Sequence, residues 1–154
     1  MLPEITTVLP ESGYLLIHQK VRELMFKNRQ LGNSSESGGI LLGSYRGNHI
    51  EVIDATLPGK KDIRRKNEFI RIDKHHQIYA EKLWRKSEGK ITYIGEWHTH
   101  PTNTPSPSPI DIAEWNKKLP NRNMILCIQG ISDLALFVSN YNNKSKEIKK
   151  LEVL

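Results

Sequence analysis

His98 and His100 stand two residues apart in the segment GEWHTHPTNTPSPSPID, residues 95–111. On a strand, two such side chains leave the same face with their imidazoles close together. One divalent ion needs that placement of two of its ligands. Asp111 follows where a proline-rich loop turns into a helix, so its carboxylate can swing back over the strand end as a third ligand. Two neutral imidazoles and a carboxylate leave the fourth tetrahedral position of a zinc ion open to water, the pattern of a catalytic site. A structural zinc site would use more thiolate, and Cys127 is the single cysteine.

Each piece has a plainer reading. A His-x-His pair by itself is commonly a surface or half-buried pair. Ser108-Pro109-Ile110-Asp111 reads as a helix start, with Ser at the cap, Pro at the first helical position and an acid three residues after the cap. That start does not compete with metal binding, because a capped first turn holds Asp111 rigid. Hydrolysis of an amide also needs a group that takes a proton from water and returns it to the leaving amine. Glu36, directly before Ser37-Gly38-Gly39-Ile40-Leu41-Leu42-Gly43, is one candidate, and its glycines allow a backbone or a substrate to come close. Glu96 is the other, sharing the strand parity of His98 and His100. Spacing alone leaves both open.

The elements that must position these residues follow from hydrophobic periodicity. Residues 14–17 form a short apolar strand. From about His18, Val21, Leu24, Met25 and Leu31 recur at helical spacing, and residues 32–35 (GNSS) end that helix. Residues 39–45 and 49–57 make a hairpin across Arg46-Gly47-Asn48. A basic loop and a strand at 68–72 come next. Asp73 would cap a helix over 74–87, with Ala80, Leu83 and Trp84 sharing a face. Residues 91–100 form the histidine strand, and a loop with prolines at 101, 105, 107 and 109 leads to a helix over 110–118. A second hairpin spans 124–129 and 134–140, and 148–153 close the chain as a strand or short helix. Interspersed strands, hairpins and helices imply an α/β domain, a central mixed sheet with helices on both faces.

Composition narrows the classes. A chain of 154 residues, 37% hydrophobic and 26% charged, fits one globular domain rather than disorder. No run approaches the roughly 18–20 apolar residues of a membrane helix. The opening MLPEITTVLPESG lacks the basic-then-apolar pattern of an export signal, and a lone cysteine permits no intrachain disulfide, so a cytoplasmic setting is expected. The net charge of +6 is partly local, with Lys60, Lys61, Arg64, Arg65 and Lys66 in one segment and Lys144, Lys146, Lys149 and Lys150 in another. No nucleic-acid module accompanies it: there is no paired Cys/His finger and no aromatic RNA-binding motif. The first cluster is expected to attract an acidic surface on a protein substrate.

The composite pattern resembles that of the JAMM, or MPN-plus, metalloproteases: a Glu before a Gly-Ile-Leu-x-Gly strand, then His-x-His-Pro, six residues, Ser, two residues, Asp. Here it reads Glu36 before GGILLG, His98-Thr99-His100-Pro101, TNTPSP, Ser108, Pro109-Ile110, Asp111. The resemblance implies an MPN/JAB-like, cytidine-deaminase-like three-layer fold over one domain, 1–154. It implies zinc on His98, His100 and Asp111, Glu36 as general acid/base, and Ser108 as a donor to the oxyanion. Glu96 then has a supporting role. Glu96-Trp97 before the histidines, the Pro-Ser-Pro-Ser loop and the short length look like bacterial members encoded beside ubiquitin-activating-like and conjugating-like enzymes. Those operons are antiphage systems built around a nucleotide synthase. The implied activity is deconjugation, cutting the amide between the C-terminal tail of a conjugated protein and its target. Little room remains for the insertions by which eukaryotic relatives grip two ubiquitins. Two other readings stand beside it: a JAMM peptidase processing a sulfur-carrier or small ubiquitin-like protein, and a nucleic-acid-associated module supported by the charge.

Overall fold

A computed structural model describes residues 2–142 and 145–153. The chain runs β1 (Ile5–Val8), β2 (Tyr14–Ile17), α1 (Gln19–Lys27), β3 (Gly38–Arg46), β4 (His49–Ala55), β5 (Ile63–Arg65) and β6 (Glu68–Ile70). It continues with α2 (His75–Lys86), β7 (Thr92–Thr99), α3 (Pro109–Lys118), β8 (Met124–Gln129), β9 (Leu134–Asn142) and β10 (Ser145–Leu151). Eight strands form one mixed sheet in the order β1-β2-β4-β3-β7-β8-β9-β10, and β5 and β6 form a separate ribbon. β2/β4 and β7/β8 pair in parallel. The β7-to-β8 connection runs through α3, since parallel neighbours need a crossover.

β8 makes the layering plain. Its sequence MILCIQ is buried at every position, as a strand covered on both faces must be. Ile125 and Cys127 join a cluster that holds Val21 and Met25 of α1 with Leu15, Ile17, Val52 and Trp97. Met124, Leu126 and Ile128, pointing the other way, meet Trp115 of α3, Leu119 and Phe137. Helices therefore cover both faces, as the periodicity implies. Each large side chain buried this way contributes roughly 1.5–3 kcal/mol of transfer free energy.

Several local expectations need correction. α1 stops at Lys27, and Leu31 is 53% exposed rather than on its inner face. Trp84 is 54% exposed, and α2 buries only His76. Polar bonding, not an apolar stripe, seats that helix. β1 and β5 are additional strands: β1 is four residues long and β5 three, too short for a periodic signal. The helix cap at Asp73 sits one residue early, its Oδ1 accepting from the His75 amide at 2.9 Å while Lys74 is the boundary residue. The terminal segment pairs with β9 as an antiparallel strand. Lys144 of the second basic cluster lies outside the described residues.

Candidate metal centre

β3 and β7 build the floor of the site. They pair antiparallel with Gly38 opposite His98, which brings the residue preceding β3 beside the end of the histidine strand. Gly39 is required here, because a Cβ would lie 2.1 Å from the Thr56 carbonyl oxygen. The glycines thus admit a neighbouring backbone, one of the two uses that their sequence implies. α3 brings the third element. Ser108 caps it, its Oγ accepting from the Asp111 amide at 3.0 Å while its own N–H donates to Asp111 Oδ2 at 2.9 Å. This reciprocal cap fixes the Asp111 rotamer and leaves the Ser108 hydroxyl proton free to donate.

The result is a triangle of ligand atoms. His98 Nε2 and His100 Nε2 are 3.1 Å apart, and Asp111 Oδ2 lies 3.3 Å from the first and 3.2 Å from the second. An ion with four ligands at about 2.0–2.1 Å has ligand–ligand edges of about 3.3 Å, so these donors fit a tetrahedral divalent ion without rearrangement. Trp115, packed in the core of α3, stands against the His98 ring at a centroid distance of 6.1 Å and limits its rotation. Burial works to raise the Asp111 carboxyl, yet hydrogen bonds from His100 and His98 outweigh it and hold the group well below the usual carboxylate range.

Glu36 faces the triangle from the β3 side, its Oε1 3.8 Å from His100 Nε2. The residue is 4% exposed. Burial pushes its carboxyl up to about 8, with His100 pulling down and Asp111 and Glu68 adding to the rise. Glu96, the rival by spacing, is engaged elsewhere: Arg71 donates to its Oε1 at 2.6 Å and the Tyr93 hydroxyl at 3.1 Å. The structure therefore brings Glu36, His98, His100, Ser108 and Asp111 together and ties Glu96 into the wall. One groove includes all of these but His100 along its lining and is bounded by Phe69 and Arg71 on one side and Glu114 and Lys118 of α3 on the other. Arg71 was invisible to sequence reasoning, since only the β5–β6 ribbon carries it to the groove.

The basic segment is not one surface. Arg64 donates from Nε to the Glu36 carbonyl at 2.7 Å and from Nη2 to Ser37 Oγ at 2.8 Å. Arg65 pairs with Glu68, and its carbonyl accepts from the Glu36 amide at 2.7 Å. These two arginines hold the segment before β3 that carries Glu36. A second cluster of acid and imidazoles, Asp62, His75 and His76, is bound up in hydrogen bonds: both His76 nitrogens are engaged, by Thr56 Oγ1 at 2.5 Å and Asp62 Oδ2 at 2.6 Å.

Comparison with known proteins bears on this geometry. The family model for prokaryotic homologues of the JAB domain matches residues 18–143. A CD-NTase/cGAS isopeptidase of Escherichia coli is 39% identical over 118 residues, 76% of this chain and 75% of the relative. One of the same name from Vibrio cholerae is 34% identical over 142 residues, 88% of this chain and 90% of its own. A probable metalloprotease of Sinorhizobium fredii is 32% identical over 86 residues, 55% of this chain and 52% of its own. A Desulfitobacterium hafniense protein solved in solution superposes with a TM-score of 0.60 at 18% identity, covering 86% of this chain and 88% of that one, and shares the fold. Sheet order, a metal-ready triangle and a match over most of the length converge: this chain belongs to the prokaryotic JAB-domain family, as a JAMM-type metallopeptidase.

Proposed function

We propose that the chain is a zinc isopeptidase that releases the C-terminal tail of a conjugated CD-NTase-class nucleotide synthase from its target protein. The observation that carries the reading is the 3.1–3.3 Å ligand triangle with Glu36 Oε1 at 3.8 Å, at the floor of an open groove. The names of the Escherichia coli and Vibrio cholerae relatives support the substrate class. His98, His100 and Asp111 would hold the ion. A zinc ion bound there supplies a Lewis acid for the scissile carbonyl and acidifies a water.

The chain's own residues carry the rest. Glu36 takes a proton from the attacking water as the C–O bond forms and delivers it to the departing amine nitrogen as the C–N bond breaks. Ser108 donates its hydroxyl proton to the oxygen of the tetrahedral species, a bond worth roughly 2–4 kcal/mol in comparable oxyanion sites. The tail enters extended: β6 pairs with β5 on one edge only among the described residues, and its Phe69 and Ile70 line the groove, so the other edge suits strand addition. Ubiquitin-activating-like and conjugating-like enzymes would supply the conjugate.

The test separates base from ligand. Glu36→Ala should abolish cleavage of a synthase–target conjugate while the protein keeps its zinc. His98→Ala or His100→Ala should lose both. Near-normal turnover by Glu36→Ala would move the proton to another group and defeat the assignment. Cleavage of a sulfur-carrier fusion, with the synthase conjugate left intact, would replace the substrate class and keep the chemistry.

A further inference from the structure

Gln30 inverts the usual pattern of burial. It follows the end of α1 in irregular backbone and is 1% exposed, while its neighbour Leu31 is 53% exposed. A polar residue buried beside an exposed leucine has a reason in its partners. Its Oε1 accepts from the Thr99 hydroxyl at 2.9 Å. Its Nε2 donates to the Lys66 carbonyl at 2.8 Å and to the Ser34 carbonyl at 3.2 Å. Thr99 lies between the two histidines, and Lys66 lies at the β5–β6 turn. Thr99 Oγ1 in turn accepts from the Ser37 amide at 2.9 Å, and the Thr99 amide donates to the Ser37 carbonyl at 2.9 Å. One carboxamide thus joins the histidine strand, the approach to Glu36 and the ribbon that walls the groove. Arg64 closes the same loop from outside through the Glu36 carbonyl and Ser37 Oγ.

We infer that Gln30 is a positioning residue for the peptidase reaction, its carboxamide setting the distance of Glu36 from the His98–His100–Asp111 triangle through Thr99 and the β5–β6 ribbon. The inference rests on the peptidase reading above. Gln30 touches neither the ligands nor the groove. Its removal leaves the ion's donors in place and lets the segment bearing Glu36 drift. A drift of about 1 Å in a reacting group costs on the order of a hundredfold in rate. The effect falls chiefly on turnover, because the Gln30 bond reaches the ribbon at its turn, at Lys66, and not at Phe69 and Ile70, which line the groove.

The test uses Gln30→Met, which keeps the volume and removes the amide, with Thr99→Val and Thr99→Ser as a pair that deletes or keeps the hydroxyl. The substrate is a CD-NTase-class synthase carrying a fluorescent protein fused to its C-terminus. Gln30→Met and Thr99→Val should lower kcat by about tenfold to a hundredfold, with KM within about twofold of wild type and zinc content unchanged. Thr99→Ser should restore most of kcat. Amide exchange in residues 34–38 and 63–67 should rise by about tenfold or more in both impaired variants, while β8 and β9 stay protected. Exchange needs no turnover, so it reads the clamp independently of the peptidase assignment. Unchanged exchange in those segments, or kcat within about twofold of wild type in both variants, overturns the proposal. If Gln30→Met does not fold, the Thr99 pair decides alone. A folded, zinc-loaded wild type that cleaves no tail fusion refutes the peptidase reading instead, and exchange then decides the clamp.

Discussion

Asp62→Asn should be among the most damaging isosteric changes in the chain, although Asp62 lies outside the metal triangle. Its side chain is fully buried and its carboxylate accepts four hydrogen bonds: Oδ1 from the Ile72 and Asp73 amides, each at 2.7 Å, and Oδ2 from the Gly59 amide at 2.7 Å and His76 Nε2 at 2.6 Å. A carboxylate only accepts, so Nε2 carries the His76 proton and Nδ1 accepts from the Thr56 hydroxyl. Thr56 Oγ1 also accepts from the Ile40 amide at 2.9 Å, which locks β3 into the chain of bonds. An asparagine oxygen keeps one pair of donors. Its NH2 then faces the other pair, donor against donor. A buried donor left without a partner costs roughly 1–3 kcal/mol, and a flipped His76 tautomer relieves only part of that, so the loss should be about 2–4 kcal/mol. At about 2–4 °C per kcal/mol for a chain of this length, the melting temperature should drop by roughly 5–15 °C. Urea and thermal unfolding followed by circular dichroism measure it. Glu114→Gln serves as control, because the Glu114–Lys118 pair is exposed and worth only about 0–1 kcal/mol. A loss below about 1 kcal/mol for Asp62→Asn would refute the reasoning, since a solvated carboxylate alone behaves that way.

Other outcomes follow from the same structure. The purified protein should hold about one zinc per chain, and stripping it with a chelator should end peptidase activity until zinc is restored; elemental analysis giving none after reconstitution would sink the ligand assignment. The contribution of the His76–Asp62 pair to stability should fall on acidification in two stages. Burial lowers the His76 pKa from 6.5 despite Asp62, with His75 and Arg71 adding to the fall, so its contribution is complete above pH 6.5 and declines below it. Burial raises the Asp62 pKa, but its hydrogen bonds win and hold it under 3.8, so that contribution is lost only as pH drops below 3.8. Gly39→Ala should destabilise β3 by well over about 1 kcal/mol, because its Cβ would meet the Thr56 backbone at 2.1 Å; unfolding curves matching wild type would contradict that contact. Neutralising Lys60, Lys61 and Lys66 should raise KM for a full synthase conjugate and weaken its salt dependence, with little change for a short tail peptide. Equal losses on both substrates would make those lysines structural.

The grouping of His98, His100 and Asp111 was legible in the sequence because it lies in short spacings. A His-x-His pair on a strand and a Ser-x-x-Asp helix start are local patterns, and local geometry translates into side-chain direction without knowledge of the fold. The α/β architecture was legible for the same reason, through strand alternation and the i, i+4 pair Val21–Met25. Spacing left Glu36 and Glu96 both open, and only the motif resemblance favoured Glu36. Where the two acids lie depends on the antiparallel register of β3 on β7 and on Arg71 bonding Glu96, two facts set by residues far apart in the chain. Nor could composition divide the basic cluster into arginines that hold the Glu36 segment and lysines that face outward. Trp84, 54% exposed, marks the limit of such patterns: they say which residues share a face, not whether that face is covered. Gln30 escaped for the opposite reason: a lone glutamine after a helix carries no pattern, and its meaning lies in partners from three other segments.

The order of the strands also has a consequence during synthesis. β7 sits between β3, made long before it, and β8, made only after Asp111 has emerged. Trp115, which seats α3, packs on side chains of β8 and β9. A nascent chain that has exposed both histidines therefore still lacks the surface that brings Asp111 home, and contacts this distant in sequence form late. The histidine pair therefore gains Asp111 beside it only once β8 and β9 have emerged. Until then β7 keeps an unpaired edge on the side that β8 later fills.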